Sequence, residues 1–347
     1  MTITLPGTCF DIIEAEDIRC DSYRKFSNSK HFQSICNNYD IFTSWWDSTR
    51  IALHNTSCIT SQAGKASLLV NTVNYNGYNE YLALFLSSPL VFEPFEIWVL
   101  FQAIQECEID FLDTCSTPNV EISLTAALLS TLRLISRNLN DKYRKELSIM
   151  GSELSLNKLE LQVQNRESST GGDFALLLEW RSANGLINIC PVVFQAKRTT
   201  GLQVDISQSN LNHGKQLDIL SRSKCNPAYI FYNCDTQGAT TYPRLPAVKK
   251  ISDIGKDTKW TSSVEDVLSL SVFMLNLMSS NDVFTTKSRR EALDEILVGV
   301  NELELSNIAT FSVDPNAIKE YEFEYRKHLA RQKTREEEKN NDSGFRM

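Results

Sequence analysis

The stretch DFALLLEWRSANGLINICPVVFQAKR, residues 173–198, contains two apolar runs that are joined by a short polar turn. The turn, SANG at 182–185, includes an Asn-Gly pair, and both residue types tolerate the positive φ that tight hairpins need. The runs predict antiparallel strands over 174–180 and 186–197, with a bulge near Pro191. The middle of the chain is therefore predicted to form a β-hairpin.

Three polar side chains lie at one end of the predicted hairpin. Side chains alternate between the two faces of a strand, so Gln195 and Lys197 point the same way. Counting across the turn places Asp173 beside residues 194–197. Carboxylate and carbonyl oxygens are hard ligands suited to Mg²⁺ or Mn²⁺, and an ammonium group offsets charge on a phosphate. An acid, an amide and an amine in this arrangement predict a hydrolytic site for a phosphodiester.

Regular patterning extends from the hairpin in both directions along the chain. Apolar residues spaced as Leu124, Leu128 and Leu132 predict a helix over 122–146. Three further elements are predicted: a strand at 159–165, a helix at 212–222 and a strand at 228–233. The resulting order, α-β-β-β-α-β, predicts an α/β fold with a mixed sheet.

Composition divides the chain into four predicted regions. Residues 1–115 form an N-terminal accessory domain, since their patterning is mixed and carries no motif, and 116–240 form the core. Residues 241–330 form a C-terminal helical extension, in which a capping box begins at Ser262 ahead of an apolar helix. Residues 331–347 form a charged tail that is predicted to fray from a helix into disorder.

The composition is that of an ordinary globular protein. The chain has 347 residues, is 42% hydrophobic and has a formal net charge of −8. This charge argues against a basic surface for indiscriminate nucleic-acid binding, but it does not exclude a local basic cleft. The nine cysteines include no CxxC pair, which favours free thiols in a reducing cytoplasm. We expect no signal peptide, since the N-terminus lacks a basic and an apolar region. The most apolar window, 81–104, is interrupted by charge and proline, so we predict that it is buried core and not a membrane span.

The acid, the hairpin and the QAK segment resemble the PD-(D/E)xK superfamily of nucleases, which has the restriction-endonuclease-like fold. Four stretches, EISLTAALLSTL, ESSTGGDFALLLEW, VVFQAKR and KQLDILSRSKCNPAYIFYN, are together similar to an uncharacterised bacterial family of predicted nucleases. The resemblance covers about residues 121–235. It implies a restriction-endonuclease-like core, and the predicted N-terminal domain and C-terminal helices are additions that lie outside the resemblance.

The resemblance implies a role for each residue of the predicted site. Asp173 would be the metal-binding acid, and Lys197 would be the catalytic lysine. Glu121 would be a helix-borne carboxylate that completes the metal site. Gln195 would stand where most members have Glu or Asp, and it would be a metal ligand without negative charge.

Further residues are implied to act around this site. Glu167 would orient the loop that carries Asp173, and Gln216 would contact substrate or Lys197. A locally basic rim is expected to contact the phosphate backbone through Lys215, Arg198, Arg222 and Lys224.

The implied activity is a Mg²⁺- or Mn²⁺-dependent endonuclease that hydrolyses DNA in a bacterial cytoplasm, and the resemblance suggests a role in defence against foreign DNA. The chain has no Walker motif, so a separate ATPase or helicase subunit is one possible partner. A second copy of the chain, in a homo-oligomer, is another. One alternative is a nuclease-fold module that binds nucleic acid or a partner protein with little or no catalysis, since Gln195 departs from the family pattern. Another is a structural interaction protein that docks partners.

Each site residue also has an interpretation without function. Asp173 follows two glycines and could be a turn residue. Gln195 and Lys197 could form the solvent face of an edge strand. Glu121 could be an acid that the helix dipole favours. Taken together with the element order, the four residues favour the site.

Overall fold

The computed structural model describes residues 10–65, 78–115, 119–159, 173–210, 214–234, 244–299, 305 and 307–344. The helices are α1 (Ile12–Ser27), α2 (Lys30–Asn37), α3 (Tyr39–His54), α4 (Tyr78–Ser87), α5 (Phe95–Cys115), α6 (Glu121–Lys142), α7 (Arg144–Ile149), α8 (Gln216–Arg222), α9 (Leu270–Ser279), α10 (Arg289–Gly299) and α11 (Ala317–Gly344). The strands are β1 (Ser155–Leu159), β2 (Phe174–Arg181), β3 (Ile187–Thr199), β4 (Gln203–Asp205), β5 (Ser209–Asn210), β6 (Gly214–Lys215), β7 (Ala228–Asn233), β8 (Ala247–Lys250), β9 (Trp260–Ser262), β10 (Leu268–Ser269) and β11 (Asn307–Ser312).

A seven-stranded mixed sheet runs through the molecule in the order β1-β11-β2-β3-β7-β8-β10. β2 and β3 pair antiparallel, and Gly185 turns the chain between them with φ +80°. β3 pairs parallel with β7, and β2 pairs parallel with β11. The predictions of the hairpin and of a mixed α/β sheet are confirmed. Two small sheets, β4 with β9 and β5 with β6, stand apart from the main one.

The bulge predicted near Pro191 is wrong, because β2 and β3 keep one register along their whole paired length. The amides of odd-numbered β3 residues face away from β2. Val193 N donates to Cys225 O at 2.9 Å, and Ile189 N donates to Thr286 O at 2.8 Å. Pro191 lies between these two bonds, where β7 has not yet begun. Its missing N–H therefore removes no ladder hydrogen bond, and the strand accepts it without a bulge.

Helices cover both faces of the sheet. Even-numbered residues of β3, such as Phe194, pack into a core with the N-terminal helices and α9. Odd-numbered residues, such as Val193, pack into a second core with α8, α10 and α11. The molecule is therefore layered as helix, sheet and helix, with the hairpin in the buried middle layer.

Helix α5 contains the last part of the apolar window at 81–104. It is buried along most of its length, and the buried residues include Glu96 and Glu108. The prediction that this window is core is confirmed for the residues described. A helix able to span a bilayer is not found within the described residues.

The region after residue 240 differs most from its prediction. The sequence predicts helices over 241–330, whereas the structure also has β8, β10 and β11 there, and all three join the main sheet. β11 lies between β1 and β2 and pairs antiparallel with the first and parallel with the second. The helical extension is therefore corrected to a segment that completes the sheet. The division of the chain into separate domains stays a prediction.

The capping box predicted at Ser262 is wrong about where the helix begins. Ser262 Oγ does accept two backbone N–H groups just after it, but the residue is the last one of β9. The helix begins at Leu270, with Ser269 as its N-cap. There the buried Glu108 carboxylate also accepts the N–H of Ser271 at 3.2 Å. A tertiary contact that the local pattern cannot show thus helps to set the start of the helix.

Two predicted helices have different bounds in the structure. The helix predicted over 122–146 breaks at Tyr143 into α6 and α7. The ring of Tyr143 packs edge-on against Phe95 and Trp98, with centroids 5.6 and 5.8 Å apart, and this packing accompanies the break. The helix predicted at 212–222 begins at Gln216, because β6 precedes it directly.

Two further predictions fall partly outside the described residues. The strand predicted at 159–165 overlaps β1, which covers Ser155–Leu159, at its first residue. Residues 160–165 lie outside the described residues. At the other end of the chain, α11 continues to Gly344, well into the tail predicted at 331–347 to fray into disorder.

Candidate active site

The C-terminal end of β3 runs past Phe174, the first residue of β2, and two carboxylates accept its backbone N–H groups there. The amides of even-numbered β3 residues face β2, which starts at Phe174. Beyond that point, Ala196 N donates to Asp173 Oδ1 at 3.3 Å. One step further, Arg198 N donates to Glu121 Oε1 at 2.9 Å. The extended backbone therefore fixes both acids along one edge of the strand, although one precedes β2 and the other begins α6.

The carboxylate of Asp173 is buried and also accepts a hydrogen bond from Gln195 Nε2. The two residues face each other because the register of the hairpin pairs Phe174 with Phe194. Burial raises the pKa of Asp173 to about 7, while the ammonium of Lys197 acts in the opposite direction. A carboxyl group in this position would be stabilised in its charged form by a further cation.

Lys197 lies on the same face of β3 and is held by two amide oxygens. Its Nζ donates to Gln208 Oε1 and, at 3.2 Å, to Gln216 Oε1. Burial lowers the pKa of Lys197, and the carboxylates of Glu121 and Asp173 raise it in return. The contact between Gln216 and Lys197 is the one that the family resemblance implies.

Gln208 is a site residue that the sequence analysis misses. It stands with Gln216 at the base of the β5–β6 hairpin, where Gln216 N donates to Gln208 O at 3.1 Å. Two glutamines flanking the turn-prone segment NLNHG, residues 210–214, are the signal that could have revealed it. Residues 211–213, at the tip of this hairpin, lie outside the described residues.

Tyr229 completes a row of polar groups across the sheet. It is the β7 neighbour of Gln195, as Asp173 is its neighbour on the β2 side. Its ring stacks on that of Phe231, with centroids 6.1 Å apart. The hydroxyl is buried and has no hydrogen-bond partner among the described residues. Unpaired buried hydroxyls cost stability, so the row is a polar patch inside an otherwise apolar face.

The interpretation of Gln195 and Lys197 as the solvent face of an edge strand is wrong. β3 lies in the interior of the sheet, between β2 and β7. Gln195 and Lys197 are 3% and 2% exposed, and Asp173 is 3% exposed. Burying a carboxyl and an amine costs free energy unless the two groups are paired or hydrogen-bonded. The cluster therefore needs either a structural or a chemical explanation.

The basic residues predicted to line the site do not converge on it. Arg198 lies on the opposite face of β3 from Lys197, where its side chain contacts Cys234. Lys215, on the hairpin, pairs with Asp257 at 2.6 Å. Arg222 is the last residue of α8, about 9 Å along the helix axis from Gln216, and Lys224 follows the helix. The remaining predicted residue, Glu167, lies outside the described residues.

Asp173, Glu121 and Gln195 are the residues that could hold a divalent cation. Within the described ranges, no group of three or more His, Cys, Asp or Glu side chains could hold a metal ion. Mg²⁺, however, is usually held by one or two carboxylates together with waters and substrate phosphates. Two carboxylates beside an amide therefore fit Mg²⁺ or Mn²⁺, and they do not fit a structural zinc site.

A cavity of about 1060 Å³ lies away from this cluster, on the other side of α8. It is lined by residues such as Asp218, Lys250 and Asn276, and none of the site residues borders it.

Comparison with protein-family models, with curated proteins and with solved structures finds no match to this chain. The geometry of the cluster is therefore the basis of any functional conclusion.

Proposed function

We propose that the chain is a Mg²⁺- or Mn²⁺-dependent nuclease that hydrolyses phosphodiester bonds in DNA, with a PD-(D/E)xK-type core. The observation that carries the proposal is the convergence of Asp173, Gln195, Lys197 and Glu121 at one strand end. The two carboxylates are fixed by successive backbone amides of β3. The lysine stands on the same face as Asp173 and is held by two glutamines.

Each residue has a separate task in this proposal. Asp173 and Glu121 would hold the cation, with the amide oxygen of Gln195 as a neutral third ligand. The bound metal would supply an activated water and stabilise negative charge on the phosphate. Lys197 would place its ammonium beside the scissile phosphate, because its stem lies along the sheet and Gln208 and Gln216 fix its tip.

Asp173, Gln195 and Lys197 are only two to three per cent exposed, which has a consequence for access. A phosphodiester would reach the ammonium of Lys197 only by displacing the groups that hold it. These groups are the amide oxygens of Gln208 and Gln216.

The metal requirement is tested directly with supercoiled plasmid and purified full-length chain. We expect nicking or linearisation with Mg²⁺ or Mn²⁺ and none with EDTA. Metal that binds only the folded chain should also raise the melting temperature. Asp173→Asn should lose both effects, whereas Asp218→Asn on the exposed side of α8 should keep both. Equal cleavage with EDTA, or a wild-type metal response in Asp173→Asn, would contradict the proposal.

A nucleic-acid-binding module without catalysis is the second candidate. It is favoured by one observation, namely that Asp173 is already engaged by Gln195, and Lys197 by two glutamines. This candidate predicts DNA binding that is unchanged by EDTA and no cleavage under any metal condition.

A further inference from the structure

The small β4–β9 sheet continues directly from the strand that carries the candidate site. Only residues 200–202 separate β3 from β4. In this sheet Val204 faces Thr261, and both are buried. On the other face Asp205 stands directly opposite Trp260. The outward face is therefore the one that carries the indole.

Trp260 differs from every other tryptophan in the chain. The sequence has five, and the other four, at positions 45, 46, 98 and 180, are at most 7% exposed. Trp260 is 58% exposed. A large aromatic ring that stays in water does not gain the free energy of burial. An exposed indole is therefore a candidate contact for a ligand of the site.

The position of Trp260 is close to the site. Its cross-strand neighbour Asp205 acts on the charge of Lys197, since the carboxylate contributes to raising the pKa of that lysine. Gln208, which holds the lysine, follows three residues after Asp205. Trp260 is therefore the cross-strand neighbour of a carboxylate that acts on Lys197.

The segment that leads into Trp260 carries two exposed lysines. Lys259 precedes Trp260, and its carbonyl accepts the N–H of Ile206, while Lys256 is exposed on the same segment. Acids are also present, since Asp205 stands opposite the indole and Asp257 pairs with Lys215. An aromatic ring next to lysines is a combination that binds single strands, because bases stack on the ring and cations attract the backbone.

We infer that Trp260 stacks on an unpaired base of a nucleic acid bound at the Lys197 cluster. The inference rests on the proposed function and narrows its substrate to nucleic acid with a single-stranded segment. The base is unpaired because stacked neighbours cover its flat face in a duplex. That face can contact an indole only in a single-stranded segment.

The intrinsic fluorescence of the chain tests this without any cleavage. With EDTA present, oligothymidylate of 16 residues should quench the emission of the wild-type chain, and the exposed Trp260 should carry that change. Trp260→Phe should lose the quenching and retain part of the affinity. Trp260→Ala should bind at least about fivefold more weakly, since stacking on one base is worth on the order of 1–3 kcal/mol.

The control is Phe323→Ala, which removes an equally exposed aromatic ring, 58%, from α11. It should bind oligothymidylate as the wild type does. A 16-base-pair duplex should lose little affinity in Trp260→Ala. Unchanged oligothymidylate binding, an equal loss for duplex, or a loss of self-association in place of DNA binding would each overturn the inference. None of these binding measurements requires cleavage. A chain that binds oligothymidylate through Trp260 but does not cleave plasmid would therefore refute the nuclease proposal and leave the stacking inference standing.

Discussion

At the scale of single residues, the molecule contains charged groups in positions that burial disfavours. Asp173 and Lys197 stand on one sheet face with the hydroxyl of Tyr229, which has no hydrogen-bond partner in the described part of the chain. Such groups reduce stability unless they are compensated, and they concentrate where chemistry needs them. The parity of strand residues predicts the side on which Gln195 and Lys197 stand. The same parity excludes Arg198, which the sequence analysis places on the substrate side.

Glu108 offers a pH test of burial that lies away from the site. Burial raises its pKa to about 8 from an ordinary value of 4.5. The folded chain therefore holds a proton that the unfolded chain releases. Its contribution to stability should be complete below about pH 4.5 and should fall as the pH rises towards 8.

The measurement compares urea unfolding of the wild type with that of Glu108→Gln between pH 5 and 9. The amide keeps the volume and an acceptor for Ser271. We expect the variant to gain on the wild type as the pH rises, by more than about 1 kcal/mol, because one pKa unit is worth about 1.4 kcal/mol. A difference that does not change with pH would show that Glu108 is not protonated in the folded state.

At the scale of elements, the sequence predicts those features that depend on residues close together in the chain. The β2–β3 hairpin follows from alternation and an Asn-Gly turn, and its register then brings Asp173 to Gln195. The insertion of β11 between β1 and β2 joins segments far apart in the chain, and no local pattern reports it. Gln208 is missed for the same reason, since its role depends on where the β5–β6 hairpin folds back.

Arg289 joins several of these distant elements. It pairs with Glu179 of β2 at 2.7 Å and with Asp314, just after β11, at 2.5 Å, and it also contacts Glu320 of α11. The carboxylate of Glu179 is completely buried. Removing the guanidinium leaves that charge without its cation.

We expect Arg289→Ala to lower the free energy of unfolding by about 3–5 kcal/mol, the usual cost of breaking a buried pair from one side. The neighbouring Arg290 is 59% exposed and pairs only at 3.5 Å with Asp294. Arg290→Ala should cost less than about 1 kcal/mol. Chemical denaturation of the two variants gives the comparison, and equal losses would mean that Arg289 does not tie the elements together.

At the scale of the whole molecule, an acidic chain of net charge −8 encloses the Asp173–Lys197 cluster within a layered α/β structure. The predicted basic rim does not form a single surface, because Lys215 and Lys224 are paired with acids from other segments. Such pairings arise only on folding, so a count of cations along the sequence cannot predict them. The lysine inside the cluster therefore matters more for the proposed activity than the charges around it.

The most direct test of the account is plasmid cleavage by Lys197→Met, which keeps the buried stem and removes the ammonium. We expect the rate with Mg²⁺ to fall about a hundredfold or more, the scale for one preorganised electrostatic group. The metal-induced rise in melting temperature should remain, because the carboxylates of Asp173 and Glu121 are intact. Lys158→Met, on the exposed face of β1, is the matched control and should cleave normally. Cleavage by Lys197→Met at the wild-type rate would contradict the assignment of this cluster as a nuclease site.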